Sequence, residues 1–163
     1  MILQYFKKKE NKEQIIAAKQ YKKILSESNI FLKDNNFFKE RSYKTSFEIV
    51  SIFLIMFIRR NLLEYNRKLY AKVNDELLSL FISDLDESLR EKGIGDMSIG
   101  KYVKSYVKKF YFRISKFPSD NNLYNNKSFI DYLIVTELIK SDDYINVSRK
   151  FNEKFEEFIN SGK

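Results

Sequence analysis

The chain contains no cysteine, no histidine and no tryptophan, and its 163 residues include one proline and four glycines. Without cysteine there is no disulfide, no thiolate nucleophile and no thiolate-bound metal. Without histidine there is no imidazole base and no histidine-held haem or zinc. Glycine is too scarce for a phosphate-cradling loop: Gly93-Ile94-Gly95 is far shorter than a Walker or dinucleotide fingerprint. Long hydrophobic runs are also missing. Ile49–Ile58 is the longest, ten residues with Ser51 inside it, against the roughly 20 that a membrane-crossing helix needs. At the N-terminus, Met1 to Phe6 is too short for the apolar part of a secretory signal and runs straight into Lys7-Lys8-Lys9, so no such signal is expected.

What is present suits one folded core. Hydrophobic residues make up 44% of the chain, and a chain of this length usually forms a single domain. The formal net charge is +8 and unevenly spread: residues 1–44 carry +6, 45–92 carry −1, 93–118 carry +5 and 119–163 carry −2. Two basic blocks would attract RNA phosphate, anionic lipid or an acidic partner, and charge alone does not choose among them. Abundant Lys, Asn, Ile, Phe and Tyr is also what an AT-rich genome writes, which accounts for part of the lysine excess.

Periodicity predicts an all-α single-domain bundle of five to six helices, with a basic flexible tail over residues 1–11 and the helical domain over 12–163. A first helix is expected from Lys12 to Leu32, with Ile15, Ile16, Ala18, Tyr21, Ile24 and Leu25 inward. A polar loop follows from Lys33 to Lys44, with Phe37 and Phe38 tucked in. A second helix, Phe47 to Glu64, is capped by Thr45 or Ser46 and apolar nearly all round, as suits the centre of a bundle. In the third, Leu69, Val73, Leu77, Phe81, Leu85 and Leu89 recur every four residues, with Leu78 and Ile82 beside them, and Gly93 and Gly95 serve as structural caps. Asp96 or Ser98 starts a fourth helix, with Ile99, Tyr102, Val103, Tyr106, Val107, Phe110, Ile114 and Phe117 inward, and Pro118 ends it. After a loop over Ser119–Asn126, two shorter helices are expected at Lys127–Lys140 and Asp143–Asn160.

Candidate chemistry is sparse. Asp84, Glu87 and Glu91 share one face of the third helix and could in principle meet a hard cation. Carboxylate-bridged metal bundles add Glu-x-x-His pairs, however, and Asp86 and Arg90 form an i, i+4 pair in the same turns, so a solvated charged face is the better reading. No catalytic residue, metal or cofactor is assigned. On the fourth helix Lys101, Lys104 and Lys108 line one edge of the apolar stripe and Lys109, Arg113 and Lys116 the other, with Tyr102, Tyr106 and Tyr111 between them. Such a helix could hold RNA by phosphate contact and stacking, or could simply pack its aromatics and extend its lysines outward.

The run Phe81-Ile82-Ser83-Asp84-Leu85-Asp86-Glu87-Ser88-Leu89-Arg90-Glu91-Lys92-Gly93-Ile94-Gly95-Asp96 resembles the signature of the ubiquinol–cytochrome c chaperone family: an acidic helix end, Leu-Arg-Glu, then Gly-hydrophobic-Gly-Asp. Lys101 to Lys109 supplies the basic helix that follows it, and Tyr111-Phe112-Arg113 stands where that family has Tyr-Gly-Arg. Upstream, Ser46-Phe47-Glu48-Ile49-Val50 and then Arg59-Arg60 resemble its second helix, and the likeness covers roughly residues 12 to 160. The resemblance implies a non-catalytic assembly chaperone that binds newly made cytochrome b for the cytochrome bc1 complex. It implies work beside a small partner factor and the ribosome, peripheral contact with a membrane, and no DNA. The place implied is the cytoplasmic side of a bacterial inner membrane, or the matrix side in an organelle. Client or partner contact is expected at Asp84, Asp86, Arg90, Glu91, Asp96, Tyr111 and Arg113, with ribosome or anionic-surface contact at Lys101, Lys104, Lys108 and Lys109. A general RNA- or ribosome-binding bundle using the basic fourth helix is the alternative.

Overall fold

The computed structural model of the protein describes residues 11–140 and 142–161. Six helices follow one another: α1 (Lys12–Asp34), α2 (Tyr43–Leu62), α3 (Arg67–Glu91), α4 (Asp96–Lys116), α5 (Lys127–Thr136) and α6 (Tyr144–Asn160). No strand forms among the described residues; the only extended pairing there is a single antiparallel bridge. The all-α reading therefore holds, and the expected tail lies outside the described residues except for Asn11, which caps α1.

α2 is the axis of the bundle. Ser51 to Phe57 are all buried, so every side of this helix needs a neighbour, and α1, α3, α4 and α6 supply them. Ser51, the polar residue in that run, is satisfied within the helix by donating to the Phe47 carbonyl at 2.7 Å. Phenylalanines from distant segments interlock around α2: Phe31 lies 5.3 Å from Phe53 and 4.7 Å from Phe151, and Phe158 packs 4.6 Å from Phe57.

Several boundaries and faces differ from the sequence reading. α2 begins at Tyr43 rather than Phe47, because Ser42 is extended and its Oγ accepts from the Thr45 N–H at 3.3 Å. The inner stripe of α1 is Ala17, Gln20, Tyr21, Ile24, Ser28 and Phe31, while Ile15 and Ala18 face outward. A polar residue turns that face. Gln20 and Asn61 exchange two amide hydrogen bonds at 2.9 Å, and Asn61 also donates to Asn74 Oδ1 at 2.8 Å, which ties α1, α2 and α3 in the core. On α4, Tyr102 is 47% exposed and Arg113 occupies the core in its stead. α5 stops at Thr136, with Glu137 in the left-handed conformation at φ 56°. Leu138 and Ile139 are buried in extended backbone, where Lys39 N–H donates to Leu138 and Lys140 N–H to Phe37, both at 2.8 Å.

The α3–α4 junction separates the two glycines. Gly93 N–H donates to the Arg90 carbonyl at 2.8 Å and Ile94 N–H to the Leu89 carbonyl at 3.2 Å, the paired closure of a Schellman ending. Gly93 sits at φ +87°, a conformation that resists side chains. Gly95 does not share this role: it is the N-cap of α4, extended at φ −73° and ψ 160°, and a Cβ there would meet no atom within 4 Å. Gly93→Val should therefore cost about 1–2 kcal/mol, whereas Gly95→Ser, which adds a capping hydroxyl, should leave stability unchanged or slightly higher. Chemical denaturation of the two variants checks this, and an equal loss in both would overturn the distinction.

Candidate functional site

The charged centre of the molecule is a residue that sequence reasoning passed over. Glu48 sits one turn into α2 with apolar Phe47, Ile49 and Val50 around it, and it is 0% exposed. A carboxylate removed from water requires charge and hydrogen bonds in return. α4 provides them. Arg113 Nε and Nη2 donate to the two Glu48 oxygens at 3.0 and 2.9 Å, and Lys109 Nζ lies 2.8 Å from the same carboxylate. Both cations also lie over buried rings, Lys109 over Phe47 at 5.2 Å and Arg113 over Tyr132 of α5 at 5.8 Å. The signal was legible in principle, since a lone acid inside a helix apolar on all sides must find a cation.

This arrangement reassigns two expected contact residues. Arg113 is 6% exposed and committed to Glu48, so it is a core residue and not a surface available to a client. Lys109 is partly covered and paired with Glu48, which sets it apart from Lys101, Lys104 and Lys108. Those three are exposed on the outside of α4 and form no ion pair among the described residues.

The remaining expected residues occupy three places rather than one. Asp84 accepts a hydrogen bond from the Tyr21 hydroxyl at 2.8 Å and lines a cleft of about 180 Å³ between α1, α2 and α3. Its walls include Leu25, Phe47, Val50, Phe81 and Leu85, and its polar rim holds Asn29, Tyr43 and Ser88. Tyr43 and Ser88 share a hydrogen bond at 2.9 Å across that rim. Asp86, Arg90 and Asp96 meet at the α3–α4 corner. Arg90 Nε binds Asp86 Oδ1 at 2.7 Å, and its Nη1 binds Asp96, so one guanidinium spans the glycine turn. Glu91 is exposed beside it. Tyr111 is half exposed on the outer side of α4, about 22 Å along the helix from Asp96.

Among the described residues no three His, Cys, Asp or Glu side chains converge as metal ligands, and no helix there is long and apolar enough to cross a membrane. Four phenols, Tyr21, Tyr43, Tyr106 and Tyr132, are held above the usual tyrosine value of 10.0, Tyr21 and Tyr132 the furthest. For Tyr21 the cause is burial, reinforced by the Asp84 carboxylate. For Tyr132 it is burial and then the Glu48 charge, opposed by Arg113.

Fold and charged groups together define the class: an all-α bundle of six described helices, built round a buried carboxylate and carrying one strongly basic outer helix. The chain belongs to the ubiquinol–cytochrome C chaperone family, whose sequence pattern matches residues 37–118. That segment contains α2, α3 and α4, and with them Glu48, both of its cationic partners and the Arg90 corner. The crystal structure of the Cbp3 homolog from Brucella abortus superposes with a TM-score of 0.68 over 98% of this chain and 88% of that one, at 22% sequence identity. It shows that the fold is shared beyond the matched segment. No curated protein sequence matches the chain.

Two predictions follow from this geometry. Glu48→Leu alone strands the Arg113 guanidinium and Arg113→Met alone leaves Glu48 with Lys109 only, so each should lower stability by about 3–5 kcal/mol, while the two combined should lose clearly less than their sum. Equilibrium unfolding of the three variants measures it, and an additive double variant would refute the pairing as the cause. The raised phenols give a pH dependence. Above pH 10.0 the unfolded chain releases protons that folded Tyr21 and Tyr132 retain, so their contribution is complete below that pH and lost as pH rises beyond it. Alkaline absorbance titration should find these two of the 11 tyrosines ionising only as the fold is lost.

Proposed function

We propose that this chain is a non-catalytic assembly chaperone that receives newly made cytochrome b and holds it for incorporation into the cytochrome bc1 complex. Membership of the ubiquinol–cytochrome C chaperone family is the observation that carries this reading. The physical features that support it are a cleft and a charged corner suited to gripping a chain rather than transforming a small molecule. The α1–α2–α3 cleft offers apolar walls with Asp84, Tyr43 and Ser88 at the mouth, the combination that receives a protruding apolar side chain of a helix while satisfying polar groups at its edge. Next to it, Asp86, Arg90, Glu91 and Asp96 present both signs of charge on a rigid turn. The place of action we infer is the cytoplasmic side of the inner membrane, or the matrix side in an organelle, where a membrane protein's helices are first available to a peripheral factor.

Deleting the gene should lower assembled cytochrome bc1 complex and cytochrome b haem absorbance, with other respiratory complexes less affected. Normal bc1 levels in the deletion strain would defeat the assembly reading. Within the deletion strain, Arg90→Ala with Glu91→Ala tests the corner. Both side chains are exposed and the corner lies outside the core, so melting should shift little while less cytochrome b co-purifies with the tagged protein. A double variant that melts much earlier yet retains cytochrome b when folded would make these residues structural.

A further inference from the structure

The outer side of α4 is left over once the bundle is assembled, and it carries charge of one sign. At 100° per residue, Met97, Lys101, Lys104, Lys108, Tyr111, Phe112 and Ser115 fall within about 100° of the helix circumference, and all seven are exposed. The opposite side, through Ile99, Phe110 and Arg113, is the one buried against the bundle. From Met97 to Ser119 there is no Asp or Glu. Glu48 draws Lys109 and Arg113 inward, and Lys101, Lys104, Lys108 and Lys116 are exposed with no ion-pair partner among the described residues. The result is a straight basic strip about 27 Å long, with apolar side chains at both ends.

We propose that this face seats the protein on an anionic lipid surface. Charge selects an anionic partner, and the kind of side chain selects lipid over nucleic acid. Met97, wholly exposed at the N-terminal end of the strip, and Phe112, 50% exposed at the other, can enter the boundary between headgroups and acyl chains. The lysine stems between them lie along that boundary with their ammonium groups raised to the phosphates. Phe112 also shares a cleft with Val135 of α5, which is 60% exposed, and with Lys116, Ser128 and Asp131 around it. RNA recognition draws instead on guanidinium forks and on stacked rings in a groove. The only arginine of α4 is Arg113, turned inward on Glu48, and the strip is convex. Seating of this kind is independent of any client, so its success or failure is separable from the chaperone reading.

The test is co-sedimentation of the whole protein with phosphatidylcholine vesicles, with and without phosphatidylglycerol, at low and high salt, beside a parallel assay with purified ribosomal RNA. The wild type should bind only the phosphatidylglycerol vesicles, and less as salt rises. Lys101, Lys104 and Lys108 replaced together by Gln should weaken that binding on the order of a hundredfold at low salt. Lys22, Lys33 and Lys39, exposed on α1 and the loop after it, provide a control: replacing them with Gln removes the same charge and should leave binding within a few-fold. Phe112→Ser, at an exposed position that leaves the core intact, should reduce the binding that persists at high salt. Equal loss in the control would mean that net charge alone acts. Tight RNA binding that depends on the three α4 lysines, without vesicle binding, would make this a nucleic-acid face. Absence of both would reduce the lysines to composition. Each of these outcomes overturns the proposal.

Discussion

One buried carboxylate sets the terms for this structure. Glu48 is sealed into the centre of the bundle at a cost that only a matched pair of cations can offset, and both come from α4. The pairing fixes more than energy. Because Arg113 approaches with both nitrogens and Lys109 lies one turn before it, α4 is held in one register and one rotation against α2. An apolar contact of the same area would tolerate sliding by a turn. The inward turn of Arg113 and Lys109 also decides which residues face out, and so the basic strip on the far side of α4 depends on a carboxylate it never touches.

A second polar tie does comparable work on the other flank. Gln20, Asn61 and Asn74 form a buried amide chain that locates α1 and α3 around the end of α2. It carries no charge, and each amide is satisfied by another amide or by the Ile58 carbonyl. Between these two ties lies a greasy phenylalanine core that could repack in several ways. Polar contacts at both ends of α2 give that core one arrangement.

Sequence periodicity exposed the helices whose burial is simple. The four-residue recurrence from Leu69 to Leu89 and the apolar run from Ile49 to Ile58 identified α3 and α2 without help from tertiary structure. The errors came where a polar residue is buried or an apolar one exposed. Gln20 rotated the inner face of α1, Arg113 entered the core disguised among five lysines of α4, and Tyr102 and Ile15 faced out. Gly93 and Gly95 look alike in sequence, yet only the first has a backbone that needs glycine. Of the expected contact residues, the Arg90 corner was legible as an i, i+4 pair with Asp86, but its bond to Asp96 depends on how the turn folds back. The cleft beside Asp84 was hidden because its walls come from three helices.

The way α6 closes the bundle bears on how the chain is made. Phe151, Phe155 and Phe158 are buried, and Phe158 covers Phe53 and Phe57 of α2, so about 100 residues separate the two sides of that contact. The pairing of residue 38 with residue 139 spans a similar length of chain. During synthesis, then, the central helix of the bundle emerges well before α6 and stays uncovered on one side until α6 has been made. The α1–α2–α3 core can form from neighbouring segments in the meantime, with a phenylalanine surface waiting for its lid. Loss of the phenylalanine face of α6 would leave that surface permanently open, and with it a sticky protein.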